Sequence, residues 1–280
     1  MVDNMFTTLI NEDELFKAYD DPDWIIFDAR YDLMDKNAGK NAYLQEHIPG
    51  AIYVDLHDDL SRSPSTNKGR HPLPISTVIN TLFTELGIHS DMQVVVYDDN
   101  AGSFAARLWW MLRYMQHKNV AVLDGGWQSW LDAEHPTSKK SEPRVAAEFN
   151  NNALEKCVIH IEDVESAEQL IDSRDPARFR GEIEPIDRAA GHIPGAINRF
   201  WKENLSEIGT FKPKPVLKQE FEQLLGHTQP ENAVFYCGSG VTACHNLLAV
   251  AHAGLNLPKL YAGSWSEWSS TPGKPVATET

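Results

Sequence analysis

Residues 234–248 read VFYCGSGVTACHNLL, and this stretch has the pattern of a β-strand followed by a tight turn and an α-helix. The apolar run 233–236 predicts a short buried parallel strand. Apolar residues at helical spacing from Ala243 onward predict a helix, with Gly254 as its stop signal. The glycine-rich segment 237–242 lies between them. A strand, a tight turn and a helix in this order are typical of an α/β domain.

Cys237 stands between the predicted strand and the predicted helix. Backbone N–H groups of the loop can turn toward its sulfur, and the helix dipole adds about half a positive charge there. Both effects favour the thiolate, and the same cradle suits a persulfide anion or a bound oxyanion. The alternative is a small buried residue at a strand end, but a core strand has no use for the glycines beside Ser239. The backbone donors are predicted to come from Gly238, Gly240, Val241 and Thr242.

The composition sets limits on the class of protein. The chain has 280 residues, 42% hydrophobic and 23% charged, which is typical of one or two globular domains. A net charge of −15 argues against nucleic acid or an anionic membrane as a partner. Three cysteines are no disulfide framework, and no signal-like or membrane-spanning stretch is visible. We therefore predict a cytoplasmic protein.

The chain contains two copies of one unit. A hexapeptide HIPGAI begins at His47 and again at His192, and five further landmarks recur in the same order. Each copy alternates strands and helices, so we predict two tandem α/β domains, each a mostly parallel sheet flanked by helices. The predicted boundaries are a first domain at 1–135, a polar linker at 136–156 and a second domain at 157–280.

The duplication also provides an internal comparison. Asp98 follows Tyr97 in the first copy, where Cys237 follows Tyr236 in the second. A carboxylate cannot act as a sulfur nucleophile, and it repels an anion. We therefore predict that the first domain is catalytically silent and that the second carries the chemistry.

Three further motifs accompany the cysteine loop. The pentapeptide HIPGA occurs in both halves, residues 178–181 read RFRG, and residues 263–268 read GSWSEW. Together these motifs resemble the two-domain rhodanese-family sulfurtransferases over almost the whole chain. The resemblance implies that Cys237 takes a sulfur atom from a donor as a persulfide and passes it to a thiol or to cyanide. It implies no cofactor, and no cysteine or histidine shows metal-ligand spacing.

Within that family the loop distinguishes two donor classes. Family members that prefer thiosulfate have basic side chains directly after the cysteine. The neutral Gly-Ser-Gly form of this chain resembles the members that prefer 3-mercaptopyruvate. Ser239 is then placed to donate a hydrogen bond to the donor's carbonyl oxygen as enolate charge develops. The alternatives are a turn role for Ser239 and a thiosulfate-preferring enzyme.

The donor's carboxylate needs cations on a protein of this charge. By resemblance Arg178 binds it, since a guanidinium can hold a carboxylate in bidentate fashion. A second arginine usually follows, and Arg188 is the nearest candidate, although its spacing to His192 is short. Arg180 is the alternative, and a surface ion pair is the other interpretation of both residues.

His47 completes the candidate residues. In mercaptopyruvate-using members the matching histidine, with an upstream aspartate, belongs to a serine-linked proton relay, and Asp35 is the corresponding candidate here. For His192 a packing role beneath the HIPGA turn is favoured.

Other classes of protein fit less well. A cysteine-dependent phosphatase needs an arginine six residues after the cysteine, where this chain has Ala243. A non-enzymatic module that carries sulfur or binds a partner stays open, and it predicts a persulfide on Cys237 without turnover.

Overall fold

A computed structural model describes residues 5–62 and 68–279. The described residues form two compact units. The first unit holds residues 5–60 and 74–154, and the second holds residues 61, 62, 68–73 and 155–279. The second unit therefore includes a segment from the first half of the sequence.

The first unit is built on a five-stranded sheet in the order β1-β5-β4-β2-β3, with every pair parallel. Strand β4 is buried along its whole length, as its sequence QVVVY predicts. The elements in chain order are β1 Leu9–Ile10, α1 Glu12–Phe16, β2 Trp24–Asp28, α2 Ala38–Gln45, β3 Ile52–Tyr53, α3 Ser76–Glu85, β4 Gln93–Tyr97, α4 Ala105–Tyr114, β5 Val120–Leu123 and α5 Gly126–Asp132.

The second unit has a four-stranded parallel sheet in the order β7-β6-β8-β9. Short 3-10 turns occur at Glu155–Cys157, Val164–Ser166, Trp201–Asn204 and Pro230–Asn232. The other elements are β6 Gln169–Asp172, α6 Pro176–Arg180, β7 Ile197–Asn198, α7 Lys214–Leu225, β8 Ala233–Tyr236, α8 Thr242–His252, β9 Lys259–Leu260 and α9 Ser264–Trp268. The predicted fold class, two α/β units with parallel sheets flanked by helices, is confirmed.

One side-chain arrangement occurs in both units. Asp28 ends β2 and pairs with Arg30 at 2.6 Å, while the Tyr97 hydroxyl donates to Asp28 at 2.7 Å. In the second unit Asp172 ends β6 and pairs with Arg174, also at 2.6 Å. Each aspartate thus fixes an arginine at the carboxyl edge of its sheet, and in the second unit this is the edge where Cys237 follows β8.

The compact units do not follow the predicted boundaries in two places. Residues 61, 62 and 68–73 cluster with the second unit, although they precede most of the first unit's helices. The predicted linker 136–156 packs largely on the first unit, where Ser138 pairs with the backbone of His47 and Phe149 is buried against Phe83. Burying Phe149 explains why this polar stretch is held there. The domain boundaries at 1–135, 136–156 and 157–280 therefore stay a prediction.

Over residues 5–62 and 68–279, no helix combines the length and the apolar character needed to cross a bilayer.

Candidate active site

Cys237 lies at the carboxyl end of β8 with 1% of its surface exposed. Its sulfur accepts a hydrogen bond from the Gly240 N–H at 3.2 Å. Its own N–H donates to Ser264 Oγ at 3.1 Å, and its carbonyl accepts from the Trp265 N–H at 2.9 Å. The first turn of α9 therefore fixes the peptide on both sides of Cys237.

The loop after Cys237 is shaped by Gly240. Its φ is +75°, and a Cβ at this position would overlap the backbone carbonyl oxygen of Ala262. Only glycine satisfies both conditions, so the glycine places its N–H toward the sulfur. Helix α8 begins at Thr242 with Val241 as its N-terminal flanking residue, so the predicted strand, turn and helix are all present.

Ser239 meets a histidine that the sequence did not single out. His71 Nδ1 lies 2.9 Å from Ser239 Oγ, and both residues are 6% exposed. His71 comes from residues 68–73, which cluster with the second unit. A hydroxyl bonded to an imidazole can donate or relay a proton near neutral pH.

His47 has a different environment, within the first unit. Its ring is fully buried and stacks on Tyr43 at 3.9 Å. Nδ1 lies 2.6 Å from the Tyr43 carbonyl oxygen and Nε2 lies 3.0 Å from that of Lys140. These contacts account for the burial of His47 by a packing role. The catalytic role of His47 stays a prediction. Its proposed companion, Asp35, is exposed and accepts from the N–H of Asn37 before α2.

Arg178 lies in a network of buried carboxylates. Its Nη2 donates to Glu184 at 2.7 Å and to Asp187 at 3.0 Å, and its Nε donates to Glu184 at 3.2 Å. Arg174 also reaches Glu184, at 3.3 Å. The side chains of Glu184 and Asp187 are only 4% and 3% exposed. Both carboxylates therefore hold Arg178 in one orientation.

Arg70 is a second cation at the loop that the sequence did not single out. Its Nη1 pairs with Asp187, and its backbone N–H donates to Ser266 Oγ at 3.1 Å. A Cβ added to Gly238 would lie 2.9 Å from Arg70 Nη2 and 3.7 Å from Arg178 Nη1. The pKa of Arg70 is lowered, chiefly because the side chain is buried. The nearby charge of Arg178 also lowers this pKa, whereas the Cys237 sulfur raises it. Two guanidinium groups thus face the residue next to Cys237.

The predicted second arginine is placed elsewhere. Arg188 is exposed, and Arg180 forms an exposed ion pair with Glu182 at 2.7 Å. The surface interpretation of Arg180 agrees with this geometry, and donor binding by Arg188 stays a prediction. The one sequence signal for Arg70 and His71 is a basic run at 68–71, KGRH, in an acidic chain.

The first unit shows what the cradle does when a carboxylate replaces the cysteine. Asp98 is fully buried, and its Oδ1 accepts N–H bonds from Asn100 at 2.9 Å and Gly102 at 2.8 Å. Its Oδ2 accepts from Phe104 and Ala105, both at 2.8 Å. Four converging N–H groups show that a loop of this design binds an anion. Here the protein's own side chain is that anion.

We expect Asp98→Ala to lower the free energy of unfolding of the first unit by about 3 kcal/mol or more, because it leaves four buried donors without an acceptor. Asp98→Asn is expected to destabilise as well, since its amide NH₂ must face two N–H groups. Asp99→Asn changes the same charge at the exposed neighbouring residue and serves as the control. Denaturant unfolding of the three variants measures this, and an Asp98→Ala variant as stable as Asp99→Asn contradicts it.

Comparison with known proteins places the chain in a family. The rhodanese-like domain matches residues 11–133 and again 154–271. The chain therefore belongs to the rhodanese family, with two copies of its domain.

Individual relatives are similar over most of their length. A probable 3-mercaptopyruvate sulfurtransferase of Pseudomonas aeruginosa is 40% identical, covering 96% of this chain and 98% of the relative. A putative thiosulfate sulfurtransferase of Mycobacterium tuberculosis is 38% identical, covering 91% of each. Among solved structures, a 3-mercaptopyruvate sulfurtransferase from Leishmania major superposes with a TM-score of 0.85 at 29% identity, covering 96% of this chain and 76% of that one.

Proposed function

We propose that this protein is a sulfurtransferase that moves a sulfur atom from 3-mercaptopyruvate, through a persulfide on Cys237, to a thiol or cyanide. The observation that carries the proposal is the position of the Cys237 sulfur, which accepts the Gly240 N–H at the carboxyl edge of the sheet. The equivalent loop of the first unit holds a carboxylate with four N–H groups. Names of the relatives from Pseudomonas aeruginosa and Leishmania major support the donor.

In the first half-reaction the Cys237 thiolate attacks the donor's sulfur, and a sulfur–sulfur bond forms. The donor's carbon–sulfur bond breaks, and its electron pair passes to pyruvate as an enolate. The proton of the donor's thiol is transferred to the enolate carbon, which gives pyruvate and an enzyme persulfide anion. The loop's N–H groups stabilise that anion.

Ser239 and His71 act on the leaving enolate. The hydroxyl of Ser239 donates to the donor's carbonyl oxygen as negative charge develops there. His71, 2.9 Å from Ser239 Oγ, orients the hydroxyl and provides a path for the proton. Arg178 and Arg70 hold the donor's carboxylate beside Gly238.

In the second half-reaction an acceptor thiolate attacks the outer sulfur of the persulfide. A new sulfur–sulfur bond forms on the acceptor, and the bond to Cys237 breaks to restore the thiolate. Cyanide attacks the same outer sulfur through its carbon, so that a carbon–sulfur bond forms, the bond to Cys237 breaks and thiocyanate leaves. The loop of the first unit carries no persulfide, because Asp98 occupies the position of the cysteine.

The decisive experiment is turnover of the purified protein with 3-mercaptopyruvate and with thiosulfate, using a thiol and cyanide as acceptors. A higher kcat/KM for mercaptopyruvate is expected. A preference for thiosulfate supports the second candidate, which the two arginines and the thiosulfate-named relative favour. A persulfide without turnover supports the sulfur-carrying module. The predicted cytoplasmic location is tested separately, by fractionation of the source cells.

We expect Ser239→Ala to lower kcat with mercaptopyruvate by about a hundredfold, because it removes a donor to the enolate oxygen. Thiosulfate forms no enolate, so its kcat is expected to change by less than about threefold. Steady-state rates with both donors on one preparation measure the difference. Equal losses with the two donors contradict the role, since they indicate a loop disturbed for both reactions.

A further inference from the structure

The arginines beside Cys237 are paired with carboxylates before any donor binds. Asp187 contacts both of them, with Oδ1 on Arg70 and Oδ2 on Arg178 at 3.0 Å. Its side chain is only 3% exposed, while that of Arg70 is 29% exposed. Asp187 is therefore a fixed negative charge between the two cations that face Gly238.

The carboxylates bind some of the nitrogen atoms of each guanidinium group, and other nitrogen atoms lie beside Gly238. Arg70 gives Nη1 to Asp187, while Nη2 lies nearest to Gly238. Arg178 gives Nε and Nη2 to carboxylates, and its Nη1 and Nη2 lie 3.7 Å and 3.8 Å from a Cβ built on Gly238. Both arginines therefore keep N–H groups beside the residue after Cys237 while they are paired with carboxylates.

The charges of this cluster cancel. The cations are Arg70, Arg174 and Arg178, and the anions that contact them are Asp172, Glu184 and Asp187. Thiosulfate carries two negative charges, and mercaptopyruvate with its thiol protonated carries one. Any change in the charge of the cluster therefore alters the electrostatic binding energy of thiosulfate about twice as much as that of mercaptopyruvate.

We propose that Asp187 is a specificity-determining residue, which disfavours dianionic donors by neutralising one of the two arginines that face Gly238. A monoanion still gains two directed N–H donors, whereas a dianion lacks a matching positive charge. This inference rests on the proposed sulfur transfer and assigns its donor preference to one side chain.

The test is the ratio of kcat/KM for thiosulfate to kcat/KM for mercaptopyruvate. We expect Asp187→Asn to raise this ratio about tenfold at low salt and less at high salt, because one negative charge is removed close to the donor. The asparagine oxygen still accepts from one arginine, so the cations stay in place. Glu182→Gln is the matched control, because it removes the same charge from the same loop at an exposed pair with Arg180. That control is expected to leave the ratio unchanged.

A second variant keeps the test decisive if Asp187→Asn fails to fold. Arg70→Gln changes the charge in the opposite direction, so the ratio is expected to fall about tenfold. Equal losses for both donors in either variant overturn the inference, since they indicate a residue that only holds the site together. A shift of the ratio by Glu182→Gln as large as that by Asp187→Asn overturns it as well. If the unmodified protein turns over neither donor, it is the proposed function that fails.

Discussion

Replacing Cys237 by serine is expected to lower sulfur transfer by at least about a thousandfold with either donor, because the hydroxyl cannot form the persulfide. The serine is close in size, and the Gly240 N–H can still find an acceptor, so the unfolding midpoint is expected to change little. Turnover is the first measurement. The second is mass spectrometry after exposure to donor, which should show one added sulfur atom on the unmodified protein and none on the variant.

The other two cysteines provide matched controls. Cys244 is fully buried in α8, and its thiol donates to the Gly240 carbonyl oxygen at 3.4 Å, a bond that a serine hydroxyl can also make. Cys157 is buried at the start of the second unit. Cys244→Ser and Cys157→Ser are both expected to keep turnover and the added sulfur atom. Substantial activity in the Cys237→Ser variant would falsify the proposed mechanism.

The second large effect is expected at Gly240. An alanine there must adopt φ near +75°, and its Cβ overlaps the backbone of Ala262, which cannot move as a flexible side chain can. The loop must shift, and the N–H that faces the Cys237 sulfur shifts with it. We expect Gly240→Ala to lower turnover by at least about a hundredfold, since a displacement of about 1 Å is enough for such a loss. We also expect it to lower the free energy of unfolding by about 3 kcal/mol.

Substitutions at two other glycines distinguish the effect of backbone strain from the effect of the steric overlap with Ala262. Gly254 has a φ of +81° with nothing within 4 Å of an added Cβ, so Gly254→Ala carries only the backbone strain, about 1 kcal/mol. Gly238→Ala meets only the ends of two arginine side chains, so it is expected to fold normally and to change KM. Stability curves and donor kinetics for the three variants test this. A Gly240→Ala protein with normal turnover and stability refutes the assigned role of the loop.

The fold could be predicted because its signals are local. An apolar run, a glycine-rich turn and a helical pattern follow one another around Cys237, and the structure has β8, the loop and α8 there. The repeat of these patterns gave two α/β units. Asp98 was predicted as the replacement for the cysteine for the same reason, since the two loops align within one chain.

The candidate site was predictable only where it is formed by the cysteine loop and the residues near Arg178. The family resemblance suggested a proton-relay role for His47, which stays a prediction. The histidine that contacts Ser239 is His71, which is 168 residues away in the chain. The resemblance made Arg188 the nearest candidate for a second cation, and that role stays a prediction. The structure places Arg70 beside Gly238, paired with Asp187 across 117 residues.

The sequence alone thus determined the two-unit α/β architecture and the strand, loop and helix around Cys237, because hydrophobic periodicity and turn residues act over a few neighbouring positions. Tertiary structure decided which side chains surround that loop. Arg70 and His71 lie in the half of the chain that lacks Cys237, yet residues 68–73 cluster with the second unit. Contacts between residues so far apart leave no periodic pattern, so only the folded chain shows that Arg70, His71 and Asp187 lie close to the cysteine loop.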